Sequence, residues 1–282
     1  EAKKIYDRAN EISGIDVKKI CFEGPEEELN KTENTQIAIL TTSLAILEVL
    51  KSRGINADIS VGLSLGEYGA LIYSGIISFE DGIKLIQKRG YYMGNLLPKE
   101  EFQMAAVIGL DSSKIEEICK KINDSGKFLV PANYNCSVQT AISGTEEAVN
   151  EATQLLKDAG AKRVIPLKTS GPFHTIKLED AKKAYEKELE KIEFHPGKCK
   201  VIKNLDGTFY NENDDIKNIL ANHIINPVRF DKAIKLMQNE GVEEYVEIGP
   251  GKVLTGFIKK ENREAITYNI NSLETLEDYL NN

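Results

Sequence analysis

The sequence predicts an α/β fold in which a parallel sheet is covered by helices on both faces and a smaller subdomain is inserted. Short strands rich in β-branched residues alternate with amphipathic helical segments, the pattern expected of parallel strands joined by helical crossovers. From Phe102 onward the strands become denser. A chain of 282 residues, 41% hydrophobic, is also long enough for one large domain that carries a smaller one.

The first third of the chain reads helix, strand, helix, helix after an opening segment (EAKKIYDRANEI) that is itself helical. Residues 35–53 place leucine and isoleucine at helical spacing and end before a glycine. Residues 58–62 (DISVG) predict a strand, and residues 65–75 are compatible with a helix. Ser78 caps a further helix, with an aspartate three residues later as in a capping box, and this helix runs through Arg89.

Residues 102–170 predict the order β-α-β-β-α-β, which is that of a ferredoxin-like split βαβ unit. We therefore expect an inserted ferredoxin-like subdomain over residues 99–175. The large domain is expected to consist of residues 1–98 and 176–282. Its second part predicts a charged helix (178–192), a strand (199–204), a turn at Asp206 and Gly207, helices near 215–223 and 227–239, a strand (243–249), a turn (249–251), and a last strand and helix.

Composition excludes several classes of protein. The 36 basic and 44 acidic residues give a net charge of -8, and the lysines are dispersed, which argues against nucleic-acid binding. Cys21, Cys119, Cys136 and Cys199 form no CxxC pair, so we expect neither a metal site nor a disulfide framework, but reduced thiols in a cytoplasmic protein. No run of about 18 apolar residues and no leader pattern is found, so we expect neither a membrane span nor an export signal.

The segment GLSLGEYGA, Gly62 to Ala70, contains the pattern G-x-S-x-G between the predicted strand and helix. In a nucleophile elbow this context exposes the serine oxygen and directs the next backbone N–H, here that of Leu65, toward an oxyanion. The bare pattern also fits an ordinary serine in a glycine-rich loop. The strand-to-helix position favours Ser64 as a nucleophile.

A serine nucleophile needs a base, and the chain offers three histidines. His195 precedes a proline and His223 lies late in a predicted helix, where a surface or packing role is expected. His174 lies in TSGPFHT, a loop leaving the last strand of the subdomain, from which an imidazole can be delivered to a cleft. His174 is therefore the candidate base, although a solvated loop histidine has the same local pattern.

Six segments in register resemble those of one known family. They are GLSLGEYGAL, the arginine of LIQKRGYYM, NYNCSVQTAISG, SGPFHT, NPVRF and EIGPGKVLTG. With EGPEEELNKTENTQIAI near the start, they cover essentially the whole chain and closely resemble the malonyl-CoA:acyl carrier protein transacylase family. The resemblance implies an α/β-hydrolase-like large domain with an inserted ferredoxin-like subdomain, in agreement with the element order above.

Carried over position by position, the resemblance makes Ser64 the residue that is acylated by malonyl and His174 its general base and acid. Leu65 would supply an oxyanion donor. Arg89 matches the malonate-binding arginine, and a guanidinium does match a carboxylate with two parallel N–H donors. Without the resemblance, an arginine on a helix surface would be the ordinary interpretation.

Other implied site residues rest on the resemblance alone. Phe173 matches the small-extender, malonyl-type signature, which is compatible with a packing aromatic. Asn135 and Gln139 match polar residues of the thioester site, although a polar strand pair would explain both. No aspartate follows in the order Ser, Asp, His, so the family orients its histidine with a backbone carbonyl near the GPGKVL turn, which implies Lys252 or a neighbour.

The chain departs from the family pattern at two places. Leu63 stands where the family most often has histidine, so any contact of that histidine is lost. The family's N-terminal strand and G-Q-G-S-Q loop, which supplies a second oxyanion donor, are not in the sequence, and we expect them upstream of Glu1. Loss of such a donor would cost about 10²–10³ in rate.

The resemblance implies transfer of malonyl from malonyl-CoA to acyl carrier protein, for fatty acid synthesis, by a monomer that needs no cofactor or metal. Carrier proteins of this kind are acidic, so we expect a lysine patch near the cleft mouth. Three alternatives stay open: a polyketide-type acyltransferase, a serine esterase or thioesterase, and a non-catalytic carrier-docking module. Malonyl labelling of the protein separates the last of these from the enzymes.

Overall fold

The computed structural model describes residues 1–169 and 171–281. Ser170, which ends the predicted strand and begins the SGPFHT segment, lies outside the described residues, as does Asn282. The helices are α1 (Ala2–Ser13), α2 (Val17–Phe22), α3 (Glu26–Leu29), α4 (Thr32–Ser52), α5 (Gly66–Ser74), α6 (Phe79–Asn95), α7 (Ser112–Asp124), α8 (Glu146–Asp158), α9 (Glu179–Leu189), α10 (Ile216–His223), α11 (Phe230–Asn239), α12 (Val253–Glu261) and α13 (Leu273–Asn281). The strands are β1 (Ile59–Ser60), β2 (Phe102–Ile108), β3 (Leu129–Cys136), β4 (Gln139–Thr145), β5 (Arg163–Leu167), β6 (Lys200–Val201), β7 (Val228–Arg229), β8 (Glu244–Ile248) and β9 (Ile266–Ile270).

Helix α4 confirms the helix predicted from residue 35 and forms the centre of the helical part of the fold. Its buried residues Ile37, Leu40 and Leu44 pack in one core with α1 and α6. Among the described residues, α4 is the one helix long and apolar enough to meet the dimensions of a membrane span, and 44% of that window is buried inside the protein. Core packing therefore accounts for its composition.

Helix α6 confirms the predicted cap and extends further than expected. The Ser78 hydroxyl oxygen accepts a hydrogen bond from the Asp81 N–H at 3.0 Å, which satisfies one of the unpaired N–H groups of the first turn. The helix continues to Asn95. Arg89 consequently lies in the helix interior and is 1% exposed, on the face that packs against α4.

Residues 102–167 have the predicted element order and form four antiparallel strands in the order β5-β2-β4-β3. Helices α7 and α8 pack with this sheet over a separate core that runs from Ala105 to Ala161. The short strand β7 joins the free edge of β3 in parallel, through Asn133↔Val228 and Tyr134↔Arg229. The sheet therefore continues beyond the 99–175 segment into the rest of the protein.

The parallel strand pairing predicted elsewhere is present, but the described residues do not form one parallel sheet. Two separate parallel pairs occur instead, β1 with β6 and β8 with β9. The β1–β6 ladder has only two residue pairs, Ile59↔Lys200 and Ser60↔Val201. Beyond it, the side chain of Asn204 hydrogen-bonds the chain near Gly62, so side-chain contacts replace the ladder.

Two further predictions need correction. The helix placed at 227–239 begins at Phe230, because Val228 and Arg229 pair with β3 as a strand. The sequence also predicted only a strand and a helix after the 249–251 turn, whereas helix α12 precedes them. The Glu247 carboxylate, in the preceding strand β8, accepts hydrogen bonds from the Leu254 and Thr255 N–H groups in the first turn of α12 and so caps this helix.

Candidate active site

Ser64 lies on a sharp turn between β1 and α5, as the G-x-S-x-G pattern predicts. Its φ of 54° is in the left-handed region that non-glycine residues rarely adopt. Gly62 is required for close approach, because a Cβ at this position would overlap the backbone of Gly66. Asn204 holds the turn, since its Oδ1 accepts from the Ser64 N–H at 2.7 Å and its Nδ2 donates to the Gly62 carbonyl at 2.6 Å.

His174 is the second non-glycine residue in the left-handed region, with a φ of 58°. A local turn fixes it: the Phe173 N–H donates to the Gly171 carbonyl, and the Thr175 hydroxyl donates to the Pro172 carbonyl at 2.7 Å. Strained backbone of this kind persists when the surrounding structure over-determines it, and it concentrates at functional sites. In the described part of the chain, the two non-glycine residues with a left-handed backbone are the two members of the predicted catalytic pair.

The two side chains contact each other directly. Ser64 Oγ lies 2.8 Å from His174 Nε2, and His174 Nδ1 lies 2.9 Å from the carbonyl oxygen of His223. A carbonyl can only accept, so Nδ1 carries the proton of the neutral ring and Nε2 is the acceptor. The Ser64 hydroxyl therefore donates to a nitrogen that can take its proton.

The electrostatic surroundings keep the His174 imidazole neutral. Burial lowers the pKa of His174 well below its usual 6.5, and electrostatic interactions with His223 and with the Arg89 guanidinium lower it further. Backbone hydrogen bonds act in the opposite direction but are weaker causes. His174 is consequently a base that is unprotonated at neutral pH and readily returns a proton.

The Arg89 side chain extends from α6 to the Ser64 hydroxyl. Its Nη2 donates to Ser64 Oγ at 3.1 Å and its Nη1 donates to the Gln36 side-chain oxygen at 2.7 Å. The Arg89 Nε is buried without a hydrogen-bond partner. Within the described residues, no carboxylate lies at ion-pair distance from this guanidinium. A buried cation beside the candidate nucleophile can thus bind a carboxylate supplied from outside the chain.

The Leu65 N–H lies where an oxyanion donor is expected. Leu65 precedes the first residue of α5, and the neighbouring N–H groups already have acceptors: that of Ser64 in Asn204, that of Gly66 in the Leu63 carbonyl, and that of Glu67 in the Ser64 carbonyl. The N-terminus of a helix presents such unpaired donors and a partial positive charge. The negative charge that develops on the oxygen of a carbonyl attacked by Ser64 can therefore be stabilised by the Leu65 N–H.

The assignment of Lys252 as the residue that orients the histidine is wrong. The carbonyl that accepts from His174 Nδ1 belongs to His223, at the end of α10. Lys252 uses its own carbonyl within the first turn of α12, where it accepts from the Gly256 N–H at 3.3 Å. The surface or packing role expected for His223 is also incomplete, because its ring is 1% exposed and its Nδ1 lies 3.1 Å from the Glu67 carboxylate.

Three residues at the site were missed by sequence reasoning: Asn204, Glu67 and Gln36. Asn204 follows the strand residues that pair with β1, and this position opposite the elbow is the signal that could have indicated it. Glu67 and Gln36 are only 0% and 5% exposed, whereas a polar residue in a helical pattern is ordinarily assigned to the surface.

The remaining predicted residues make no hydrogen bond to Ser64 or His174 among the described residues. Phe173 is partly buried and packs against the helical core beside His174. Asn135 is buried in β3, and no hydrogen bond among the described residues joins it to Ser64 or His174. The Gln139 side-chain oxygen accepts from the Lys260 ammonium at 2.7 Å, an exposed contact with α12.

The described residues contain no group of three or more His, Cys, Asp or Glu side chains arranged to hold a metal ion. The four cysteines are free thiols. Burial raises the pKa of Cys119 to about 12 and raises those of Cys21, Cys136 and Cys199, so each thiol is a weaker nucleophile than usual at neutral pH.

Comparison with known proteins identifies relatives of this chain. A family model described as acyl transferase domain matches residues 4–276. The malonyl CoA-acyl carrier protein transacylase of Bacillus subtilis (strain 168) is 40% identical over 276 residues, which are 98% of this chain and 87% of that protein. The protein of the same name from Staphylococcus aureus (strain MSSA476) is 38% identical over 278 residues, which are 99% of this chain and 89% of that one.

Solved structures show the same similarity. The crystal structure of malonyl CoA-acyl carrier protein transacylase from Clostridium perfringens matches with a TM-score of 0.95 at 41% identity, over 100% of this chain and 88% of that chain. A malonyl-transacylase in complex with a type II PKS acyl-carrier protein matches with a TM-score of 0.94 at 36% identity, over 100% and 91% of the two chains.

Proposed function

The chain belongs to the acyl transferase family that includes the malonyl CoA-acyl carrier protein transacylases, and from this premise we propose how it transfers malonyl from malonyl-CoA to the phosphopantetheine thiol of acyl carrier protein. The proposal rests on the contacts of one hydroxyl group. A histidine that can act as a base and an arginine without an acidic partner among the described residues both lie within hydrogen-bond distance of it. Ser64 Oγ lies 2.8 Å from His174 Nε2 and 3.1 Å from Arg89 Nη2.

In the first half-reaction, Ser64 Oγ attacks the thioester carbonyl of malonyl-CoA while its proton passes to His174 Nε2. The Leu65 N–H stabilises the negative charge that develops on the carbonyl oxygen. The carbon–sulfur bond then breaks, and the leaving sulfur takes the proton from Nε2 as free CoA. Because the pKa of His174 is low, the imidazolium gives up this proton readily. A malonyl ester of Ser64 remains.

The second half-reaction reverses these steps with a different thiol. The phosphopantetheine thiol gives its proton to His174 Nε2, and its sulfur attacks the ester carbonyl. The ester bond to Ser64 breaks, and Oγ recovers the proton from Nε2. The His223 carbonyl holds the ring in the required tautomer throughout, since its bond to Nδ1 is compatible with both the neutral and the protonated ring. These side chains supply all the chemistry, and we propose no cofactor.

Arg89 accounts for the choice of malonyl. A malonyl group differs from acetyl by a carboxylate, and a guanidinium can bind that carboxylate through two parallel N–H groups. The absence of an acidic partner within the described residues leaves the Arg89 charge available to it. Phe173 borders the acyl group in this proposal, and Asn135 lies further along the thioester site.

The finer description of the fold is part of the proposal. We infer a ferredoxin-like subdomain over residues 99–175, supported by its strand order and by its own core. The strand–turn–helix at Ser64 supports an α/β-hydrolase-like large domain. We further propose that the enzyme acts in the cytoplasm as a monomer and meets an acidic carrier through surface lysines, without binding nucleic acid or a membrane.

Two pathways fit this chemistry, and the carrier distinguishes them. The similarity to a malonyl-transacylase solved with a type II PKS acyl-carrier protein favours a polyketide carrier as the second candidate, beside a carrier of fatty acid synthesis. Purified protein is given malonyl-CoA and one holo-carrier of each kind, and malonyl-carrier, free CoA and free malonate are measured together. Equal amounts of CoA and malonyl-carrier support the proposal, and the better carrier assigns the pathway. Release of free malonate without carrier malonylation indicates an esterase instead.

A further inference from the structure

Glu67 is a carboxylate with no exposure to solvent, three residues after Ser64 in the first turn of α5. Burial of an ionised carboxylate is costly unless hydrogen bonds and opposite charge compensate for it. Apolar packing alone would be served better by an aliphatic residue at this position. The contacts of Glu67 therefore indicate what its charge is used for.

The two carboxylate oxygens of Glu67 contact different parts of the chain. Oε1 accepts hydrogen bonds from the Asn204 backbone N–H at 3.2 Å and from the Tyr210 hydroxyl at 2.7 Å. Oε2 has no hydrogen-bond donor among the described residues, and it lies 3.1 Å from His223 Nδ1. One side chain thus binds the segment after β6 and the end of α10 to α5.

Through Oε1, Glu67 is connected to the nucleophile Ser64 by way of Asn204. Asn204, whose backbone N–H is bound by Glu67, uses its side chain to hold the Ser64 N–H and the Gly62 carbonyl. These two bonds of 2.7 and 2.6 Å fix the turn in which Ser64 has its left-handed backbone. Movement of the Asn204 backbone would therefore be transmitted to the position of Ser64 Oγ.

Through Oε2, Glu67 is connected to the base His174 by way of His223. The His223 side chain lies against Glu67, and the carbonyl of the same residue accepts the hydrogen bond from His174 Nδ1 at 2.9 Å. The two imidazole rings are also adjacent, with centroids 4.9 Å apart. The carbonyl that orients the base thus belongs to a residue whose ring contacts the Glu67 carboxylate.

On the premise of the function proposed above, we propose that Glu67 is a positioning residue that fixes the nucleophile and the base relative to each other. It touches neither reacting atom. It acts through Asn204 on Ser64 and through His223 on His174, from a single rigid helix turn. A displacement of reacting groups of about 1 Å can cost about 10²-fold in rate, so loss of this link affects the chemical step more than substrate binding.

Glu67→Gln tests this role, because glutamine has nearly the same shape and its oxygen can still accept from Asn204 and Tyr210. The substitution removes the negative charge opposite His223. We expect kcat for carrier malonylation to fall about 10–100-fold with KM for malonyl-CoA within twofold, as for loss of an interaction used only in the transition state. The control is Glu188→Gln, since Glu188 also accepts from a tyrosine hydroxyl, that of Tyr92, but has no contact with the pair.

A double-mutant cycle separates positioning from general destabilisation. If Glu67 acts on the base through His223, the losses in kcat for Glu67→Gln and His223→Gln are not multiplicative, and the double variant is close to the worse single one. His223→Gln also removes the imidazole whose electrostatic interaction lowers the His174 pKa, so the acidic limb of the pH–rate profile of this variant shifts to higher pH. In this variant the charged groups near His174 are Arg89 on α6 and Glu67 on α5. Glu67 lies on the other side of the residue 223 side chain.

The outcomes are distinct. A folded Glu67→Gln variant with kcat within twofold of the original protein overturns the inference, as do fully multiplicative losses in the cycle. If Glu67→Gln does not fold, Tyr210→Phe is the deciding test, because it removes the hydroxyl that donates a hydrogen bond to Glu67 Oε1. A severalfold loss of kcat at an unchanged melting midpoint supports the role, and unchanged kcat overturns it. If the unsubstituted protein itself malonylates no carrier, the proposed function fails instead.

Discussion

Replacement of Arg89 by methionine tests whether the buried guanidinium selects malonyl over acetyl. Methionine has a similar length but no charge and no donor. Arg89 now donates to Gln36 and to Ser64 Oγ and has a buried, unpartnered Nε. A malonyl carboxylate would accept two of its N–H groups, and hydrogen bonds that involve charged groups contribute about 1.5–3 kcal/mol each.

Two such bonds amount to about 3–6 kcal/mol, which corresponds to about 10²–10⁴ in kcat/KM at 1.36 kcal/mol per tenfold. Acetyl has no carboxylate, so the Arg89→Met substitution costs acetyl transfer only the contact between Arg89 and Ser64 Oγ. The ratio of kcat/KM for malonyl-CoA and acetyl-CoA therefore isolates the carboxylate contribution. We expect this ratio to fall about 10²–10⁴-fold in Arg89→Met.

The assay measures CoA release and carrier acylation with each donor at several concentrations. Lys88→Met is the matched control, because Lys88 is the preceding residue on α6 and is exposed. The free energy of unfolding of Arg89→Met should not decrease, since the substitution removes a buried cation that lacks an acidic partner within the described part of the chain. A malonyl-to-acetyl ratio that stays within threefold of the original would refute the reasoning.

Three further predictions concern the architecture of the site. Gly62→Ala should prevent formation of the elbow, because the added Cβ overlaps the Gly66 backbone, whereas Gly66→Ala meets nothing within 4 Å and should fold; thermal melting of the two variants compares them. Since burial holds the His174 pKa well below 6.5, the unfolded chain binds a proton below pH 6.5 that the folded chain does not. The free energy of unfolding should therefore fall as the pH is lowered from 7 toward 5, and His174→Asn should reduce that slope in urea titrations. Gln36→Leu removes the acceptor that orients Arg89 and should lower kcat/KM for malonyl-CoA about 10–100-fold, with acetyl-CoA much less affected; equal losses for both donors would argue against an orienting role.

The local patterns of the sequence predicted most of the helices and strands and indicated Ser64 as the candidate nucleophile. Ser64 was indicated because strand, turn and helix signals are adjacent in sequence, and the structure has this arrangement. The helix cap at Ser78 and the β-α-β-β-α-β order also depend on neighbouring residues, and both are confirmed. His174 was indicated only by its loop and by the family resemblance, yet it contacts Ser64 across 110 residues of chain.

The features that sequence reasoning missed depend on tertiary contacts. The orienting acceptor is a backbone carbonyl, which every residue possesses, so nothing in the sequence distinguished His223 from Lys252. Glu67 has the sequence context of a surface residue in the first turn of a helix, and only burial shows its contacts. The extent of the sheets was also mispredicted, because the contacts of Asn204 that replace the β1–β6 ladder join residues about 140 positions apart.

The central claim, a covalent malonyl-Ser64 intermediate, is tested most directly by intact-protein mass spectrometry after brief incubation with malonyl-CoA. The unsubstituted protein should gain one malonyl group, localised to Ser64 by peptide mapping and removed when a holo-carrier is added. Folded Ser64→Ala should gain none. A folded, unsubstituted protein that acquires no adduct while it malonylates the carrier, or an adduct of equal yield on Ser64→Ala, would contradict the account.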